Sequence, residues 1–61
     1  MARLNKQEQV KLCVISSETP LKTVQDATGV HAIEVMRAAI GYKITDEQKS
    51  ALSNYLQTVG G

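Results

Sequence analysis

Arg37 and His31 are the two residues of this chain whose side chains best suit recognition chemistry. The guanidinium of Arg37 is a planar fork of donors, which fits the O6 and N7 edge of a guanine. It could equally be a solvated cation paired with Glu34, three residues before it on a helix. His31 can donate to a phosphate or a base, or stand as a surface residue near a helix start. Beside them lie Ala32, Ile33 and Met36. Ala32 and Ile33 suit thymine methyl groups, whereas Ile33, Met36 and Ile40 together form an apolar stripe suited to another protein or subunit. Lys6, Lys22 and Lys43 are candidate phosphate contacts, each also readable as an ordinary exposed lysine.

Catalytic chemistry would need more than this. Nucleophilic catalysis requires a base next to a nucleophile, and the one histidine stands 18 residues from the one cysteine, Cys13, on a different predicted helix. Ser16 with Ser17 and Asp46 with Glu47 have no third group to orient them, and no glycine-rich phosphate loop occurs. With a single Cys and a single His there is no local zinc-ligand cluster either. We therefore expect no enzyme activity, no metal and no cofactor.

Composition sets the scale. The 61 residues include one Pro and four Gly, with no linker or repeat, and are expected to form one domain over 1–61. With 43% apolar residues but no Phe or Trp, the core must be aliphatic and small, so pairing with a second copy would add useful stability. The formal net charge is only +1, which argues against nonspecific wrapping of nucleic acid. The cations are skewed, however: Arg3, Lys6, Lys11 and Lys22 face only Glu8 and Glu18 within residues 1–24. Cys13 sits among Val10, Leu12, Val14 and Ile15 and is expected to be a buried thiol. No apolar stretch approaches a membrane span or a signal-peptide core, so the expected setting is the cytoplasm.

The punctuation predicts four short helices. Asn5 with Glu8 three residues on reads as a capping box starting a helix from about Lys6 to Ser17, much of it covered. Thr19 as cap and Pro20 as first residue would open a second, to about Thr28. Gly29 permits the sharp turn into a third, from His31 to Ile40, closed by Gly41. Thr45 with Gln48 forms another capping box, and Asp46 and Glu47 favour the start of a fourth helix running to about Thr58. Leu52, Tyr55, Leu56 and Val59 make its apolar face, with Ile44 entering the core ahead of it. The fold class is all-α, a small bundle of four or so short helices.

Within that bundle, residues Leu21 to Ile40 resemble the twenty-residue helix-turn-helix of lambda-repressor-like and LacI-type DNA-binding domains. The resemblance rests on Val24 fourth, Gly29 ninth, Val30 tenth, Val35 fifteenth and Ala38 eighteenth, the residues that make the turn and the seam between the two helices. Residues 3–40 are also similar to the DNA-binding domain of Hin-type recombinases. The departures are Gln25, where a small residue is usual, and Thr28 in the eighth place. A glutamine there must turn outward or be hydrogen-bonded.

The resemblance implies a sequence-specific binder of double-stranded DNA, a phage- or plasmid-like regulator acting as a homodimer on an operator-like site. Its base contacts would come from His31, Ala32, Ile33, Met36 and Arg37. The alternative is an interaction module that docks a protein through Ile33, Met36 and Ile40. The dimer surface would lie at Leu12 and Ile15, or at Tyr55 and Val59.

Overall fold

A computed structural model describes residues 1–60, among which there are four helices: α1 (Lys6–Glu18), α2 (Leu21–Thr28), α3 (Ala32–Ala39) and α4 (Asp46–Gly60). The all-α expectation holds. Among the described residues the only β-type pairing is one antiparallel bridge between Ala2 and Ile44, whose N–H groups donate to each other's carbonyls at 2.6 and 2.7 Å. That bridge ties the segment before α1 to the segment after α3. It carries Leu4 and Ile44 into the core as a pair.

α3 packs on α2 and α1, and α4 packs on α1 and α2. Between them lie Leu12, Val24, Val30, Val35, Ala38, Ala39, Leu52 and Leu56 with Leu4 and Ile44, all buried and all aliphatic. Three of the four helix-four residues expected to face inward do so to different degrees: Leu52 and Leu56 are buried, Tyr55 is half-buried, and Val59 is exposed.

Both capping boxes form. Asn5 Oδ1 accepts from the Glu8 N–H at 2.8 Å while Glu8 Oε1 accepts from the Asn5 N–H at 3.0 Å. Thr45 and Gln48 exchange the same two bonds at 3.1 and 3.0 Å. Each pair satisfies N–H groups that a helix start leaves free.

The start of α2 differs from expectation. Thr19 does not cap it, because α2 begins at Leu21, one residue too late for a cap at Thr19; Thr19 instead closes α1, which extends to Glu18, its N–H donating to the Ile15 carbonyl at 2.8 Å. Pro20 itself is the cap residue, and its carbonyl accepts from Thr23 and Val24 at 3.0 and 3.4 Å. At the other end, Gly29 adopts φ 76° and donates to the Gln25 carbonyl at 2.7 Å, the left-handed turn expected of it. Thr28 braces that turn, donating to the Val24 carbonyl and accepting from the Val30 N–H.

α3 is shorter than the sequence suggested, with His31 as its cap and Ile40 beyond its last turn. Gly41 at φ 94° donates to the Ala38 carbonyl at 3.2 Å, and Tyr42 donates to the Arg37 carbonyl at 2.9 Å. This pair of bonds is a Schellman closure, and it requires the left-handed residue that glycine supplies. α4 runs on to Gly60, two residues past the expected end.

Two expectations for α1 are corrected. Only Leu12 is buried; Val10 and Val14 stand in solvent, because α3 and α4 cover one side of a helix whose apolar residues are spread around it. Cys13 is exposed rather than buried, with its S–H donating to the Ala39 carbonyl at 3.4 Å. Leu12, proposed for a dimer surface, is fully enclosed and has no face to offer.

Candidate nucleic-acid interface

α3 has an inner and an outer side. Val35, Ala38 and Ala39 are buried against α1 and α2, so at 100° per residue the opposite side carries Ile33, Met36, Arg37 and Ile40. These four are exposed, Ile33 and Met36 at 55% and Ile40 at 65%. The small alanines on the inner side let α3 sit close to its neighbours while the larger side chains project outward.

The approach to α3 is fixed by polar bonds. Gln25 resolves its conflict with the close helix crossing by turning its Oε1 onto the Ala32 N–H at 3.0 Å, so the residue that departs from the resemblance becomes a cap for α3. His31 adds a second cap, its Nδ1 accepting from the Ile33 N–H at 3.2 Å. A neutral imidazole with its proton on Nε2 makes that bond, which leaves the Nε2–H free to donate outward from an exposed side chain. Ala32 is half-buried with its N–H taken, and it presents less surface than Ile33 or Met36.

Arg37 and Glu34 do not pair. Glu34 accepts instead from the Gln48 Nε2 of α4, and among the described residues the one ion pair is Lys49 with Glu8 at 3.3 Å. Among the described residues Arg37 therefore has no carboxylate partner on the outward side of α3, and Glu34, half-buried, is turned toward α4.

The lysines are divided. Lys22 lies in the first turn of α2, at the end away from the Gly29 turn. Lys6 opens α1 and Lys43 precedes the bridge residue Ile44. The antiparallel bridge sets Arg3 next to Lys43 along the paired segments, and Gln9, one turn into α1, binds the Leu4 carbonyl at 2.8 Å while its side chain lies against Gly41. The bridge thus brings Arg3 and Lys43 together beyond the C-terminal end of α3, while Lys6 stands at the start of α1. Arg3 was not singled out as a contact residue in the sequence, because 40 residues separate it from Lys43 and only the bridge joins them.

Among the described residues no group of three or more His, Cys, Asp or Glu side chains is placed to hold a metal, and no helix is long and apolar enough to cross a membrane. Comparison of the chain with protein-family models, with curated proteins and with solved structures gives no match.

Proposed function

We propose that this protein binds double-stranded DNA in a sequence-specific manner through α3, as the helix-turn-helix domains it resembles do, and that it acts as a small transcriptional regulator. Arg37 carries the reading: it is an exposed guanidinium with no carboxylate partner among the described residues, on the outward side of a helix anchored at both ends. A bidentate contact from it to guanine would supply about 1 to 3 kcal/mol of discrimination. His31 offers its Nε2–H and Ile33 an apolar surface to the same groove. Lys22 on one side, and Lys6, Lys43 and Arg3 on the other, would neutralise phosphates. Such domains read two half-sites as symmetric pairs, so two copies per site are expected.

A second reading is favoured by a specific observation. Ile33, Met36 and Ile40 expose an apolar stripe along the same face, and the chain's net charge is only +1. A helix face of that kind suits docking to a protein.

Selection of bound sites from a random duplex library separates the two. On a selected site, Arg37→Ala should weaken binding by roughly 5- to 150-fold and relax preference at one base pair, while Lys22→Ala weakens all duplexes alike. Failure to enrich any site, together with loss of a captured protein partner in Ile33→Asp and Met36→Asp, would establish the interaction module instead.

A further inference from the structure

We infer that the outer side of α1, together with the C-terminal end of α4, is a self-complementary docking surface for a second copy of this chain. The two α1 helices would pack antiparallel about a two-fold axis passing between Val14 and Ile15. The inference supplies the pairing surface that a two-fold DNA site would require, yet its observations belong to α1 and α4 and do not depend on DNA binding.

Val10 and Val14 lie on the side of α1 opposite buried Leu12 and are 56% and 51% exposed. Next to them a groove of about 450 Å³ runs between α1 and α4, floored by Ile15 and Tyr55 and edged by Val14 and Val59. A groove of this size with an apolar floor, on so small a domain, is costly to leave in water. What identifies the occupant is the charge at its rim.

Lys11 and Glu18 both line the groove, two helical turns apart on the same side of α1. Both are exposed, and neither belongs to an ion pair among the described residues. Their midpoint falls between residues 14 and 15. A two-fold axis through that midpoint brings Lys11 of each copy against Glu18 of the other, and Val14 against Ile15. In an isologous interface every contact occurs twice, so a single lysine and a single glutamate produce two ion pairs flanking an aliphatic centre. A surface that complements itself in charge about an exposed apolar centre points to a copy of the same chain.

The test is sedimentation equilibrium of the DNA-free protein from about 5 µM to 1 mM at low salt. An interface made from one helix and the end of another is at the small end of the range, so Kd is expected at roughly 10 to 300 µM. Lys11→Glu and Glu18→Lys each turn both attractive pairs into repulsive ones and should raise Kd by about tenfold or more. The double variant carrying both reversals restores opposite charges across the axis and should return Kd to within about threefold of the unmodified protein. Val14→Asp, at an exposed position that the fold does not need, should abolish dimerisation with unchanged helical circular dichroism. A protein that stays monomeric to 1 mM, or a double variant no tighter than the single ones, overturns the inference. Loss of DNA binding with dimerisation intact would bear only on α3.

Discussion

Glu8 ties the start of α1 to α4 through polar contacts. It caps α1 through the Asn5 N–H, accepts from the Ser53 hydroxyl of α4, and pairs with Lys49 at 3.3 Å. Burial pushes its carboxyl up, but the Ser53, Asn5 and Lys49 donors and the Lys49 charge together bring it below its ordinary value of 4.5. A folded-state pKa below the unfolded one means the unfolded chain binds more protons. The stabilisation is then complete above the unfolded value and lost as pH falls through the folded one. Glu8→Gln should accordingly be less stable at neutral pH and lose less on acidification between about pH 5 and 3. Urea melts at those pH values giving identical losses for the two proteins would contradict this role. The two left-handed glycines give a second residue-level contrast. A Cβ at Gly29 would meet nothing within 4 Å, whereas one at Gly41 would lie 3.2 Å from Gln9 Oε1. Both substitutions to Ala incur the left-handed strain of about 1 to 2 kcal/mol, and Gly41→Ala adds displacement of Gln9 from the Leu4 carbonyl. Thermal melts should therefore rank Gly41→Ala below Gly29→Ala, and the reverse order would show that the Gln9 contact carries no weight.

At the scale of helices, what the sequence disclosed was local. Capping boxes join residues three apart and left-handed turns need a glycine, so the starts of α1 and α4 and the ends of α2 and α3 were legible from residue types alone. The misreadings arose where two elements compete for one residue or where a partner is remote. Thr19 looked like the cap of α2, but it is the closing residue of α1, and α2 starts from Pro20 instead. The exposure of Val10, Val14 and Cys13 was not legible, because the apolar residues of α1 surround it and only the positions of α3 and α4 decide which side is covered. For the candidate interface, Ile33, Met36 and Arg37 could be read from the resemblance, and Ile40 from the apolar stripe it makes with Ile33 and Met36. The freedom of Arg37 could not, since it follows from Gln48, 14 residues away from Glu34, engaging the acid that seemed its natural partner. Gln48→Ala should free Glu34 to approach Arg37, and on a selected DNA site it should weaken binding in the same direction as Arg37→Ala but by less. Unchanged affinity for that variant would mean that Glu34 does not govern Arg37.

As a whole the molecule has little core to spare. Ten aliphatic residues are buried, and chains of this length are stable by only about 3 to 9 kcal/mol. Leu52→Ala, at a fully enclosed position between α4 and its neighbours, should cost about 2 to 5 kcal/mol and leave much of the protein unfolded at ambient temperature. A melt matching the unmodified protein would refute its place in the core. Such a fold can present α3 outward only because α1 and α2 back it and the Ala2–Ile44 bridge fixes the segment that follows it. The account rests centrally on that presented helix meeting DNA. Its most direct test is fluorescence anisotropy of a labelled random duplex titrated with protein at about 50 and 200 mM salt. With three to four phosphates neutralised, the account predicts binding at the lower salt that weakens by roughly 40- to 150-fold at the higher. No change in anisotropy at 50 mM salt with about 100 µM protein would contradict it and leave the apolar face of α3 as the surface that binds.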